Sequence, residues 1–245
     1  MSLKMLREDQ VTVIIPWGIG HLTLLGTALE SCMKANPRPD RIIVVEDFPG
    51  SRAEEHFAKY PSVKFYSLGE YRGRSYARNY AVARAETPWL YFLDADDFLE
   101  PTAIGDFQSI IDTNRFDLIY ADYDYLDKEG KRNRVEKKPF IRFGPHRRIT
   151  TNFGYNYVNI GMFVRKDRFL AVGGFDEDMA IGEYFDFFLR YVTNPKIRVY
   201  KHNRPFFLAR QASSVLSNAE DLMTRATTKI QAMIRGNYYK EWIDI

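Results

Sequence analysis

Three aspartates within four residues are the part of this sequence best suited to chemistry. Asp94, Asp96 and Asp97 form the run 94-DADD-97, which directly follows the apolar stretch 89-WLYFL-93. Carboxylates held this close repel one another, and a bound hard cation such as Mg²⁺ or Mn²⁺ removes the repulsion. Such an ion could also bind two phosphate oxygens of a ligand and stabilise a departing diphosphate as a Lewis acid. The alternative is that one or two of these aspartates cap the helix that follows, and Asp97 is the first candidate for a cap.

The acidic run follows the last strand of an alternating pattern in the first half of the chain. Short apolar and β-branched runs predict strands at residues 11–16, 41–45, 63–66 and 89–93. Composition and helical spacing predict helices at residues 22–34, 53–59 and 73–85. This alternation implies a parallel sheet with right-handed crossovers, and such sheets bind ligands at the carboxyl ends of their strands. Both 94-DADD-97 and the turn 46-EDFPGS-51 lie at such ends.

The second half of the sequence is less regular. Strands are predicted within residues 117–126, 156–165, 197–200 and 206–209, and a helix at residues 182–192. Pro101 opens another helix, at a position that proline tolerates. Ser217, followed three residues later by Glu220, predicts a C-terminal helix over about residues 218–240. Together the patterns predict a single α/β domain: a Rossmann-like, mostly parallel central sheet with helices on both faces and a C-terminal helical tail.

Composition predicts a globular protein and argues against several other classes. Of the 245 residues, 45% are hydrophobic and 27% are charged, as in an ordinary folded domain. The one cysteine, Cys32, cannot form an intrachain disulfide and is expected to be a small buried residue. The sequence shows neither a signal peptide nor a membrane-spanning run, so we expect a cytoplasmic protein. The net charge of +3 is too small to argue for nucleic acid as a partner.

Basic residues are concentrated in residues 128–148, which contain nine lysines and arginines and two glutamates. The simplest interpretation is a solvated loop or hairpin. The alternative is a loop that meets an anionic acceptor, or that makes a peripheral contact with the inner face of a membrane. A nucleic-acid binder that relies on this segment is a third hypothesis, and no other part of the sequence supports it.

With these motifs in order, the chain resembles the family 2 glycosyltransferases, which have the GT-A fold. The resemblance is dense over residues 11–101, where it consists of VTVIIP, ALES, IIVVED, RGRSYARNYAVARA and YFLDADDFLEP. It returns at 161-GMFVRKDRFLAVGGFDE-177 and 182-GEYFDFFLR-190. The resemblance implies that the protein transfers a sugar, with inversion, from a nucleotide diphosphosugar to a glycan or lipid-linked acceptor. The nucleotide is most often a uridine one, and the implied cofactor is Mn²⁺ or Mg²⁺. It also implies a nucleotide-sugar-binding half (11–101), an acceptor-side half (102–215) and a C-terminal helix (216–245).

The resemblance further implies which residues hold the donor and the metal ion. Those implied to bind the nucleotide sugar are Pro16, Trp17, Glu46, Asp47, Arg78, Asp94, Ala95 and Arg210. Glu46 and Asp47 would face the base and ribose, and Arg78 the base or the diphosphate. The implied metal ligands are Asp96, Asp94 and His202, the last in place of a histidine that many relatives carry near 208-LARQASS-214.

The catalytic base is where the sequence departs from the family pattern. That pattern reads roughly G-E-D-x-D-x-x-L-R, and Tyr184 occupies the position of the usual base in 182-GEYFDFFLR-190. A tyrosine with an ordinary pKa of ~10 is a poor base at neutral pH. Glu183 and then Asp186, three residues apart on a helix, are the alternative bases, unless they form a cap or a salt bridge, for example with Arg190. If neither acts as a base, the chain is a non-catalytic module that binds a nucleotide sugar. A sugar-phosphate nucleotidyltransferase is disfavoured, because 16-PWGIGHLT-23 lacks the basic, glycine-rich phosphate loop that such an enzyme needs.

Overall fold

The computed structural model describes residues 7–18, 22–50, 60–113, 116–127, 131–136, 160–192, 194, 196–210 and 228. The strands are β1 (Val11–Trp17), β2 (Arg41–Glu46), β3 (Val63–Ser67), β4 (Trp89–Phe92), β5 (Phe98–Leu99), β6 (Leu118–Ala121), β7 (Tyr123–Leu126), β8 (Arg132–Glu136), β9 (Met162–Arg165), β10 (Val199–His202) and β11 (Phe207–Arg210). The helices are α1 (Leu22–Lys34), α2 (Arg74–Arg84), α3 (Ala103–Thr113), α4 (Lys166–Ala171) and α5 (Glu183–Val192).

The first four strands are parallel, as the alternation of strands and helices predicts. β1 pairs with β2 on one side and with β4 on the other, and β2 pairs with β3. The order of the strands therefore reverses between β1 and β4, the kind of position at which open α/β sheets bind ligands. All seven residues of β1 are buried, which confirms a strand covered on both faces. The edge strand β3 is only partly buried.

Three later strands extend this sheet, whose full order is β10-β6-β9-β4-β1-β2-β3. β9 lies antiparallel between β4 and β6, and β10 runs parallel to β6. Six of the seven strands consequently share one direction, which confirms the prediction of a mostly parallel sheet.

Helices cover both faces of this sheet, and each face has its own apolar core. α1 and α3 pack on one face, together with Val13 of β1. α2, α4 and α5 pack on the other face, together with Ile14. Adjacent residues of one strand thus belong to different cores, because successive side chains of a strand point to opposite faces.

A smaller sheet, in the order β5-β11-β7-β8, lies beside the acidic run. The region predicted to hold one or two strands, 117–126, contains two, and the chain passes from one sheet to the other at Asp122. β5 begins directly after residues 94–97, and β11 pairs antiparallel with β5 and parallel with β7. This pairing brings Arg210, at the end of β11, to the acidic run.

Some predicted elements differ from the structure or lie beyond it. α3 begins at Ala103 instead of at Pro101, because Pro101 and Thr102 form a turn. Several predictions fall outside the described residues: the helix at 53–59, the first part (156–159) of the strand predicted at 156–165, and most of the basic segment. The predicted C-terminal helix also lies outside them, apart from Thr228. None of the helices described here is both long and apolar enough to cross a membrane.

Candidate active site

The residues predicted to bind a ligand lie at the carboxyl edge of the large sheet. Trp17 and Glu46, the last residues of β1 and β2, are partners in the parallel register. Asp94 comes two residues after the end of β4, the other neighbour of β1. Because these strands run in one direction, their ends meet at one edge, beside the reversal of strand order.

The three aspartates form one group there. The carboxylate oxygens of Asp94, Asp96 and Asp97 lie within 4.8 Å of one another. Burial, followed by the charges of Asp94 and Asp96, raises the pKa of Asp97 well above its usual value. One oxygen of Asp97 accepts a hydrogen bond of 3.0 Å from the backbone N–H of Arg210. The alternative interpretation of Asp97 as a cap of the following helix is therefore wrong: its carboxylate is bound to β11, and α3 begins only at Ala103.

This group fits a divalent cation. It offers carboxylate oxygens, which Mg²⁺ and Mn²⁺ prefer, and a positive ion would relieve the repulsion that favours the protonated form of Asp97. Asp94 and Asp96 are each partly exposed, whereas Asp97 is buried. The assignment of Asp94 and Asp96 as metal ligands stays a prediction, and Asp97 joins them as a third carboxylate.

Arg78 of α2 joins the aspartates to α5. Its guanidinium donates hydrogen bonds to Asp94 Oδ1 at 2.7 Å and to Glu183 Oε1 at 2.8 Å. Arg78 is fully buried, and a buried cation requires such partners because an unpaired charge is costly to remove from water. Arg74, one turn earlier, lies 4.0 Å from the same Glu183 oxygen. Arg78 and Glu183 are thus brought to the acidic group, and their predicted roles toward substrate stay predictions.

Tyr184 lies against this guanidinium. Arg78 Cζ is 4.4 Å from the centroid of the Tyr184 ring, a cation–π contact, and the ring packs edge-on against Phe175 at 5.1 Å between centroids. Burial raises the pKa of the Tyr184 hydroxyl well above its usual value. The Tyr184 hydroxyl therefore ionises even less readily at neutral pH than that of an exposed tyrosine, so it is less able to serve as the base.

Asp186, the second alternative base, is held by Arg190. Its Oδ2 accepts hydrogen bonds from Arg190 Nη2 at 2.6 Å and from Nε at 3.0 Å, and the side chain is 1% exposed. Arg190 also donates to the carbonyl oxygens of Val172 and Gly174. This confirms the alternative interpretation of a salt bridge, which ties α5 to the turn after α4.

Glu46 and Asp47 are both buried at the end of β2. The Asp47 carboxylate accepts hydrogen bonds from the backbone N–H groups of Arg72 at 2.6 Å and Gly73 at 2.9 Å. Gly73 precedes the first residue of α2 and has a φ of +91°, which glycine adopts without strain. The hydrogen bonds to Asp47 therefore fix the start of α2. Burial raises the pKa of Asp47, although these hydrogen bonds oppose the shift. Glu46 Oε2 accepts from the Ser67 hydroxyl at 2.6 Å. Contact of either acid with a base or ribose stays a prediction.

The remaining predicted donor contacts lie at the ends of β1 and β4. The Trp17 indole packs edge-on against Phe48, with 4.8 Å between centroids, and its Nε1 has no hydrogen-bond partner among the described residues. Pro16 pairs in register with Val45, and Ala95 is buried between the aspartates. These three residues line the edge on which the aspartates lie, and their contact with a donor is still untested.

Arg210 belongs to the acidic group through its backbone and side chain. Its Nε donates to the Asp96 carbonyl oxygen at 3.3 Å, and its guanidinium lies 4.9 Å from the centroid of Phe98. A cation here is well placed to meet an anionic ligand at the aspartates.

His202 lies outside the acidic group. Its ring stacks on Phe206 with 5.2 Å between centroids, and its Nε2 is 3.6 Å from Asp106. Burial lowers the pKa of His202. Among the described residues, the group that could hold a metal ion consists of the three aspartates, and the structure does not bring His202 to them.

Arg74 is a site residue that the motifs do not single out. It lies four residues before Arg78, so the two share one face of α2. The four-residue spacing of the two arginines in RGRSYAR could have suggested that they act together. The sequence does not show that Glu183 is their partner, because that depends on the packing of α5 against α2.

The fold and the site define a GT-A type of glycosyltransferase architecture. The structure of residues 1–349 of S. aureus TarS in complex with UDP-GlcNAc is similar, with a TM-score of 0.73, 17% identity, and coverage of 93% of this chain and 67% of that one. A longer S. aureus TarS structure has a TM-score of 0.66 and 18% identity, and the match covers 93% of this chain and 40% of that one. At this level of identity the likeness shows a shared fold.

The sequence comparisons specify the family. The model of glycosyl transferase family 2 matches residues 12–170, more than half of the chain, and the chain belongs to that family. It is 31% identical over 101 residues to the teichoic acid poly(glycerol phosphate) polymerase of Staphylococcus epidermidis. That match covers 39% of this chain and 14% of the relative. The resemblance drawn from the motifs is therefore confirmed.

Proposed function

We propose that this chain transfers a sugar from a uridine diphosphosugar to an acceptor hydroxyl, with inversion and with Mn²⁺ or Mg²⁺ bound. The observation that carries the proposal is the group of Asp94, Asp96 and Asp97 at the carboxyl edge, in a member of glycosyl transferase family 2. The similar fold of TarS, solved with UDP-GlcNAc, supports a nucleotide-sugar donor.

The donor would lie across the ends of β1, β2 and β4. Asp94 and Asp96 would hold the cation, which when bound supplies Lewis-acid stabilisation of the leaving diphosphate. Arg78 orients Asp94 by donating to Oδ1, and Arg210 adds positive charge on the side of β11. Preorganised charge of this kind usually supplies much of the rate enhancement in an enzyme.

The acceptor would approach from the side of α5. Arg74 and Arg78 both approach Oε1 of Glu183, whose side chain is 4% exposed, so Oε2 would be the oxygen that takes the acceptor proton. Glu183 is therefore our first candidate for the base. Asp186 is less suitable, because Arg190 holds it in the core.

A non-catalytic module that binds a nucleotide sugar is the second candidate function. Tyr184 at the position of the family's base favours it, as does the pairing of Asp186 with Arg190. The two functions differ in turnover and not in donor binding.

The acceptor we infer is a glycan or a lipid-linked polymer. The naming of the S. epidermidis relative as a teichoic acid polymerase supports this class of acceptor. Residues 128–148 would supply a peripheral contact with an anionic membrane or acceptor, because they carry nine basic side chains.

Calorimetry of UDP binding with and without Mn²⁺ tests the proposal. The wild type should bind UDP more tightly with Mn²⁺, and Asp96→Asn should lose that gain. Asp167→Asn, which changes an exposed carboxylate bound to Arg165 at the opposite, amino end of β4, is the matched control and should keep the gain. An equal manganese effect in all three proteins would overturn the metal assignment. Donor binding without transfer or hydrolysis across a panel of nucleotide sugars and acceptors would favour the binding module.

A further inference from the structure

The Tyr184 hydroxyl is buried and has no hydrogen-bond partner within the described part of the chain. Tyr184 is the second residue of α5 and is 7% exposed. Its ring is held by the Arg78 guanidinium at 4.4 Å and by the edge of Phe175. The position of the oxygen is therefore set by a fixed ring.

The packing around this ring does not require the oxygen. Two phenylalanine rings of the same core, Phe92 and Phe175, pack against the Tyr184 ring, with 6.3 and 5.1 Å between centroids. A phenylalanine at position 184 would fill the same space and avoid burying a polar atom without a partner, which is destabilising. The hydroxyl is thus a cost to the unliganded fold.

The hydroxyl lies among the charges of the candidate active site. Burial, together with the charges of Asp94 and Glu183, raises its pKa well above the usual value, against the opposing effect of Arg78 and Arg74. It keeps its proton at neutral pH and can act as a hydrogen-bond donor. Asp94, whose side chain is 30% exposed, connects it through Arg78 to the open edge of the sheet.

We propose that the Tyr184 hydroxyl donates a hydrogen bond to a hydroxyl oxygen of the bound carbohydrate, either the transferred sugar or the acceptor. The inference rests on the proposed function. A neutral donor matches a sugar hydroxyl, whereas phosphate oxygens match the cation and the arginines. Because the oxygen is covered in the free protein, the contact requires that ligand binding displace the groups that cover it. The cost of the unpaired hydroxyl is then removed in the complex.

Tyr184→Phe tests this with two opposite effects. The melting temperature of the free protein should rise by about 2–4 °C, since an unpaired buried oxygen is removed. The affinity for UDP with Mn²⁺ should stay unchanged, because UDP lacks the transferred sugar. If the partner is the transferred sugar, the affinity for UDP-GlcNAc, or for another nucleotide sugar that stabilises the wild type, should fall about 3–10-fold. If the partner is the acceptor, donor affinity should be kept and the KM for the acceptor should rise by about the same factor.

Tyr80→Phe is the matched control. Tyr80 also lies beneath an arginine, with Arg84 Cζ 3.3 Å from its ring centroid, but it is partly exposed, in the second half of α2. This variant should change neither affinity nor KM. A lower melting temperature for Tyr184→Phe would overturn the proposal, because it would mean that the hydroxyl has a structural partner such as a buried water. Unchanged sugar affinity together with unchanged acceptor KM would also overturn it. Failure of the wild type to bind UDP would instead refute the proposed function.

Discussion

Replacing Arg78 by methionine probes the ion pairs that join the acidic group to α5. The Glu183 side chain is 4% exposed and the Asp94 side chain 30%. The loss of Arg78 therefore leaves Asp94 partly solvated and leaves the buried Glu183 with Arg74, 4.0 Å away, as its remaining counter-charge. Removing one partner of a buried ion pair costs about 3–5 kcal/mol, and here that cost comes mainly from Glu183. For a chain of this size each kcal/mol lowers the melting temperature by about 2–4 °C, so Arg78→Met should melt roughly 6–20 °C below the wild type.

Thermal and urea unfolding of four proteins would measure this effect. The double variant Arg78→Met/Glu183→Gln should recover roughly half of the loss or more, because it also removes the buried charge. Arg84→Met, on the same helix but exposed and stacked on Tyr80, should cost under about 1 kcal/mol. The reasoning is refuted if Arg78→Met loses no more stability than Arg84→Met, or if Glu183→Gln gives no recovery in the double variant.

Two further predictions concern backbone conformation and the core. Gly161→Ala should destabilise by about 2–6 kcal/mol in denaturant titrations, because its φ is +86° and an added Cβ would lie 2.2 Å from the buried Phe207 ring. Gly50 has a similar φ of +84°, but a Cβ added there would meet no atom within 4 Å, so Gly50→Ala should cost only about 1–3 kcal/mol. Equal losses of stability in the two variants would show that the contact with Phe207 does not contribute to the loss. Burial raises the pKa of the Cys32 thiol to about 12, so native protein at pH 8 should not react with a thiol reagent, whereas unfolded protein should react stoichiometrically. Rapid labelling of the native state would contradict the burial of Cys32.

Local patterns in the sequence were enough to predict most of the larger elements and one edge of the site, but not β5, β8 or α4. The apolar run of β1 predicts a strand buried on both faces, because alternate side chains on either side of the sheet must all leave water. The alternation of strands and helices predicts parallel strands with their ends at one edge, and the aspartates after β4 lie at the same edge as the ends of β1 and β2. The salt bridge of Asp186 with Arg190 could also be predicted, since these residues lie four apart on one helix.

The partners of the site residues were decided by tertiary structure. Arg78 and Glu183 are 105 residues apart, and no local periodicity relates them. Asp97 is bound to Arg210 and not to the next helix, because β11 pairs with β5 directly beside the acidic run. His202 ends β10 at the far edge of the sheet, where it meets Asp106. Strand order and sheet pairing set these contacts, and both depend on how whole elements bury their apolar faces against one another. A sequence therefore shows which groups are available for chemistry, while the packed fold determines which of them meet.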